Sequence, residues 1–314
     1  MTCRNVHTVL WARRPEVAEA IDVDRVHPDY LARARLPEAL RATADLEEAV
    51  RDADVVVMAV PSHGFREVLQ NVAEHARPWI PIVSLTKGLE QDTRRRMTEV
   101  IDDVLPGHPA GVLTGPNIAA EVLRGYAAAA VVAMPDEHVA RALQRLFRTT
   151  TFRVYTSTDV AGAELGGALK NVYAIASGMA QGLGAGENTR GALISRALRE
   201  LTVLGEALGG RAETFAGLAG LGDMLATCLS EHSRNRTVGE RLACGEELED
   251  IVADMHMVAE GTRTAGVVMK LAEETSIELP IAAEVHGVLT GSRTPEQAFR
   301  GLLRRPPTTE LMPG

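Results

Sequence analysis

DVVVMAV, residues 54–60, is an unbroken apolar run that opens on an aspartate and is closed by Pro61. A run of strand length with no polar alternation predicts a strand buried on both faces, as in a parallel sheet. Similar segments lie on either side of it. Residues 7–12 (HTVLWA), 80–85, 111–114, 131–133 and 151–155 read as further strands. Residues 64–76, 93–105, 116–124 and 137–147 read as helices between them. Strands alternating with helices of this length build right-handed βαβ units and a mostly parallel, doubly wound sheet. From about residue 158 no strand pattern remains. Segments 158–183 and 189–208 are long, helical and rich in alanine, glycine and leucine, and shorter helices are expected at 213–228, 234–244, 261–273, 281–289 and 295–303. The chain is thus expected to be α/β, with a dinucleotide-type domain over 1–156, an all-helical domain over 157–305 and a tail over 306–314.

Composition narrows the function. The 314 residues carry a net charge of −9. That sign argues against a nucleic-acid partner, which needs a basic face for phosphate backbones. A small anion held by a few arginines remains open. Hydrophobic residues at 46% and charged residues at 24% are the balance of a globular protein. No apolar run reaches the roughly 18 residues that would span a bilayer, and none follows the N-terminal arginines as in a secretory signal. Cys3, Cys228 and Cys244 are far apart and lack metal-ligand spacing. No metal is expected, and a reducing cytoplasm is the expected location.

Of the 33 basic residues only Lys87, Lys170 and Lys270 are lysine. Where arginine supplies charge almost everywhere, a retained lysine suggests work that needs a removable proton. Lys270 falls on an exposed helix face and needs no such explanation. Lys87, in SLTKGLE, follows the strand at 80–85, on the sheet edge where open parallel folds bind ligands. Lys170 stands beside Asn171 in GGALKNVYAIASG, among neighbours so apolar that its charge calls for an acidic partner. Burial there would move its pKa toward the range useful for proton transfer. Asp223, after the glycine-rich turn of GLAGLGDM, is placed to be the partner. TGPN at 114–117 reads as a strand end with Pro116 in the first helical turn, whose amides suit an anion or a hydroxyl. In SRNRTVGERL, Ser233 reads as an N-cap. Arg234, Asn235 and Arg236 then occupy a first turn that disfavours cations unless they face an anion such as phosphate. Glu260, in VAEGT, is ambiguous by itself.

Together LWARRPE, AVPSHGFREVL, SLTKGLE, TGPNIAAEV, GGALKNVYAIASGM, GLAGLGDMLATC, SRNRTVGERL and VAEGTR resemble, in order and spacing, the bacterial NAD(P)-dependent glycerol-3-phosphate dehydrogenases. The likeness covers about residues 9–290, and the set of KN, GLGD and SRNR is specific to that family. It implies a Rossmann-type domain followed by a helical one. It also implies reduction of dihydroxyacetone phosphate by NADPH or NADH to sn-glycerol 3-phosphate, the backbone of phospholipids. Lys170 would be the acid/base catalyst that protonates the C2 oxygen. Lys87, Gly115, Asn117, Lys170, Asn171, Asp223, Ser233, Arg234 and Asn235 fall on substrate positions. Lys87, Ala119, Arg234, Val258 and Glu260 fall on cofactor positions. Arg13 and Arg14 follow the family's second strand, where arginine favours the 2′-phosphate of NADP. The resemblance leaves a homodimer open as the assembly.

Two departures accompany the resemblance. Asn117 stands where many members have Ser or Thr, another short hydrogen-bonding residue. The family also begins with a strand, a GxGxWG turn and a helix ending in a segment like RNGHTVTLW, whereas this sequence starts at RNVHTVLW. About 25 residues of the mononucleotide-binding unit are then missing. The expectation is a sheet with a gap between its halves, impaired cofactor binding, poor folding and a start placed too far downstream. Two other readings compete. One is a hydroxyacid or ketopantoate-type dehydrogenase, disfavoured by the adjacent Lys170 and Asn171 and by SRNR. The other is an inactive truncated paralogue, supported only by the absent glycine loop.

Overall fold

Strands and helices alternate as far as Ser157, and only helices follow. The computed structural model describes residues 6–30, 34–255, 259–304 and 309–310. The first half runs β1 (Thr8–Trp11), α1 (Pro15–Glu19), β2 (Leu40–Thr43), α2 (Leu46–Val50), β3 (Val56–Met58), α3 (Phe65–Ala73), β4 (Ile82–Ser84), α4 (Met97–Val104), β5 (Ala110–Thr114), α5 (Ala119–Leu123), β6 (Ala128–Ala133), α6 (Glu137–Phe147) and β7 (Phe152–Ser157). The second half runs α7 (Val160–Gly182), α8 (Glu187–Ala207), α9 (Ala212–Ala216), α10 (Asp223–Leu229), α11 (Arg234–Ala243), α12 (Leu248–Asp254), α13 (Glu260–Thr275), α14 (Pro280–Leu289) and α15 (Pro295–Leu303).

The strands form two separate sheets among the described residues. β1 and β2 pair in parallel, and β3-β4-β5-β6-β7 form the larger sheet in that order. Every pair in the larger sheet is parallel except β5 with β6. The run at 54–60 becomes β3, but it is not buried on both faces as its composition suggested. Val56 and Met58 are buried, whereas Val57 is 37% exposed. β3 is an outer strand of its sheet, and one of its faces stays open.

Other expectations need correction. The helix expected at 93–105 begins only at Met97, because residues before it fold back and Leu89 bridges Arg96 in antiparallel register. Pro116 does not start a helix, since α5 begins at Ala119 after an Ile118 cap. The single helix expected at 213–228 is three pieces: α9, a π-helical turn at Leu218–Gly222, and α10. The break falls at Gly217, whose backbone is extended at ψ −159°, and the turn that follows needs glycine at 220, where a Cβ would overlap the Phe215 backbone. β2, α1, α2 and α12 carried too short a pattern to be read.

α7 is the axis of the helical half. Residues 162–180 of it are all buried, including Glu164, Lys170 and Asn171. A helix apolar on every side must lie inside a protein or a membrane, and here α8, α10, α11, α13 and α14 pack round it. α11 approaches most closely, with glycines at the contact. A Cβ on Gly178 would overlap the Arg236 carbonyl, and one on Gly239 the Ile175 carbonyl. No helix among the described residues is long and apolar enough to cross a membrane.

Candidate active site

The loops leaving the carboxyl ends of β4 and β5 meet α7 and α10, and the two suspect lysines meet there. Lys87 lies three residues past β4. Its Nζ donates to the Gly115 carbonyl at 3.1 Å and to Asn117 Oδ1 at 3.0 Å, and lies 2.8 Å from Asp223 Oδ2. Gly115, at the end of β5, has φ +133°, and a Cβ would stand 3.0 Å from Ala130 Cα. Glycine there presents the carbonyl that Lys87 uses.

Lys170 is 3% exposed. Its Nζ donates to Thr227 Oγ1 and lies 3.2 Å from Asp223 Oδ1. Thr227 in turn donates to the Asp223 carbonyl at 2.7 Å, one helical turn back. Asp223 therefore bridges both lysines, one through each carboxylate oxygen. Burial draws the Lys170 ammonium down to about 8, with Asp223 opposing the fall and Lys87 adding to it. One carboxylate between two ammonium groups leaves a local excess of positive charge, which suits an anionic ligand in a net-acidic protein.

A chain of amides frames these groups. Asn171 Nδ2 donates to the Lys87 carbonyl at 3.1 Å, Asn235 Nδ2 to Asn171 Oδ1 at 3.0 Å, and the Gly261 amide to Asn235 Oδ1 at 2.9 Å. Ser233 caps α11 as expected, its Oγ accepting from the Arg236 amide at 3.3 Å. The two arginines of that turn diverge. Arg234 is exposed, with desolvation lowering its pKa against the pull of Glu260 and Tyr30. Arg236 is buried and paired with Glu240, so it does not face an incoming anion.

Residues 159–300 match the C-terminal family of the NAD-dependent glycerol-3-phosphate dehydrogenases, and residues 1–140 match the N-terminal family. The chain belongs to the NAD-dependent glycerol-3-phosphate dehydrogenase family. It is 56% identical to the glycerol-3-phosphate dehydrogenase [NAD(P)+] 2 of Sphingopyxis alaskensis, over 99% of this chain and 93% of that protein. It is 55% identical to the glycerol-3-phosphate dehydrogenase [NAD(P)+] of Mycobacterium avium, over 97% and 89% of the two chains. The crystal structure of glycerol-3-phosphate dehydrogenase from Coxiella burnetii superposes with a TM-score of 0.91 at 34% identity, covering 95% of this chain and 91% of that one.

Of the remaining family positions, Glu260 adjoins the loop of Lys87, its Oε2 lying 3.0 Å from where a Cβ on Gly88 would stand. Glu260, opening α13, accepts from the Ser62 amide at 3.1 Å and the Ser62 hydroxyl at 2.7 Å, just past β3. Ala119 is exposed at the first turn of α5. Arg13 and Arg14 are exposed past β1, where Arg14 pairs with Asp29. Val258 lies outside the described residues. The candidate cofactor groups thus fall in two places, arginines past β1 and polar side chains past β3, β4 and β5. Among the described residues no glycine-rich turn stands between those places.

Two participants were not read from the sequence. Ser62 gave no signal, because its partner Glu260 lies 198 residues away. Thr227 follows Asp223 by one helical turn, a spacing that becomes informative only once α10 is seen to begin at Asp223.

Proposed function

We propose that this chain reduces dihydroxyacetone phosphate to sn-glycerol 3-phosphate, with Lys170 delivering the proton to the C2 oxygen. The observation that carries the reading is the Lys170–Asp223–Lys87 cluster beyond the ends of β4 and β5, in which Lys170 and Asp223 are buried and Lys87 is partly exposed. Reduced NAD(P), when bound, supplies the hydride. The residues of the chain supply the rest. Lys170, titrating near 8, is charged at neutral pH yet gives up its proton readily. Asp223 and Thr227 aim its Nζ, and Lys87 keeps Asp223 from neutralising the site. Arg234, in the first turn of α11, is assigned to the substrate phosphate on its match to the family's SRNR segment, and Asn235 of the same turn donates to Asn171 beside Lys170. In the reverse direction neutral Lys170 is the base.

Arg13 and Arg14 past β1 support a preference for NADP, since arginine after that strand suits a 2′-phosphate. The free thiols of Cys228 and Cys244 fit a cytoplasmic enzyme. The test is discrimination for phosphate. Dihydroxyacetone phosphate should be turned over with a kcat/KM at least about 100-fold above dihydroxyacetone, from the loss of charged hydrogen bonds worth about 3 kcal/mol. Equal use of the phosphate-free ketone would remove the basis of the assignment.

A further inference from the structure

Glu164 is a carboxylate buried to 2% exposure inside α7, and the reaction above makes no use of it. Burying such a group is costly without specific partners. Its partners come from the other half of the molecule. Thr98 donates its amide to Oε1 at 3.0 Å and its hydroxyl to Oε2, and Arg96 Nη1 stands 3.3 Å from Oε2. Arg96 and Thr98 flank the start of α4, at the far end of the loop that begins with Lys87.

That loop doubles back on itself. Leu89 bridges Arg96, and the Glu90 amide donates to the Arg95 carbonyl at 2.9 Å. Whatever holds Arg96 therefore also holds Leu89, two residues from Lys87. Leu89 itself is 3% exposed and packs into the core of the helical half. Along α7 the contacts with this loop fall on residues 164, 167 and 171, the spacing of one helix face. Glu164 pins the returning arm, and Asn171 holds the Lys87 carbonyl. Gly167 lies between them. A Cβ there would stand 2.6 Å from Thr114 Oγ1, so glycine lets α7 close on β5, and the Lys87 stem runs alongside at ordinary contact distance, 3.5 Å from that Cβ position.

We infer that Glu164 is a positioning residue, which fixes the loop of residues 87–96 on α7 and so holds the Lys87 ammonium against Asp223. The inference rests on the reading of Lys170 as proton donor, and it predicts an effect at Lys170 rather than at Glu164. The groups that act on Lys170 are Asp223, Thr227 and Cys228 from α10 and Lys87 from the loop. Those that act on Glu164 are Arg96, Thr98 and Glu99. If the clamp is released, Lys87 withdraws, its repulsion of the second ammonium falls, and Lys170 holds its proton to higher pH. Loss of the Glu164 charge acting directly through space would have the opposite sign, since removing an anion lowers a lysine's pKa.

With only three lysines in the chain, the titration can be followed without turnover, by the 13Cε resonances of 13C-lysine-labelled protein. Glu164→Gln and the milder Thr98→Val are compared with the wild type, with unfolding midpoints confirming that each is folded. The Lys170 midpoint should rise by about half a pH unit or more in each folded variant, and kcat/KM should fall by roughly 10-fold as the lysines lose alignment. An unmoved or lowered midpoint in a folded variant overturns the positioning role. Should Glu164→Gln not fold, Thr98→Val decides alone. The two readings fail separately, because a wild-type midpoint far from 8 counts against Lys170 as donor, while the difference between variant and wild type judges Glu164.

Discussion

Lys170 can act as an acid near neutral pH because burial and Lys87 depress its pKa while Asp223 limits the fall. The direction of the pH dependence follows. Reduction requires the charged ammonium, so kcat for reduction should fall as pH rises through about 8, the Lys170 value. Oxidation requires the neutral amine and should rise over the same range. Steady-state profiles in both directions check this, and parallel limbs would contradict it. Much of this site was legible at the residue scale. The scarcity of lysine singled out Lys87 and Lys170, and the apolar surroundings of Lys170 called for an acid that Asp223 provides. What stayed hidden depended on exact helix starts or on distant partners. Thr227 needed the start of α10, Ser62 needed Glu260, and the inward turn of Arg236 needed Glu240.

At the scale of elements, α7 determines the geometry of the site. It carries Lys170 and Asn171, receives the Lys87 loop, and packs against α11, which carries Arg234 and Asn235. The α7–α11 contact depends on Gly178 and Gly239, whose hydrogens face opposing carbonyls. Gly178→Ala should therefore destabilise the protein by about 1–3 kcal/mol, as overpacking of a closed interface does. Chemical denaturation measures the loss, and a stability equal to or above the wild type would show that the helices separate freely. Long periodic helices such as α7 and α8 were legible because their patterns run for many turns. The four-residue β2 and the single turns α1 and α2 were not. The strand of β6 was legible but its antiparallel direction was not, since α5 reads as a crossover helix in the sequence but is only five residues long.

Across the whole molecule, order is unevenly distributed. β3 to β7 and the helices after them are tied together by large apolar clusters on the sheet faces and around α7. The region of β1, α1 and β2 buries Val17, Ala18 and Ile21 outside those clusters, and its two strands pair with no other strand among the described residues. Local opening costs least where few buried contacts must be broken. Native-state hydrogen exchange should show the amides of residues 8–30 and 34–43 exchanging well before those of α7, and uniform protection would contradict that picture. The division into an α/β half and a helical half was visible in the sequence as the change near residue 158. The separation of the sheet into two parts was the expectation drawn from the family resemblance, and β1 and β2 do pair apart from β3 to β7.

The central claim is that Lys170 protonates the substrate oxygen. Steady-state reduction of dihydroxyacetone phosphate by wild type and Lys170→Ala, followed by nicotinamide absorbance, tests it most directly. The account predicts a kcat lower by about 10²–10⁴-fold, the range for loss of a general acid, with KM changed far less and the fold intact by circular dichroism. A folded variant that keeps kcat within a few-fold of the wild type would contradict it.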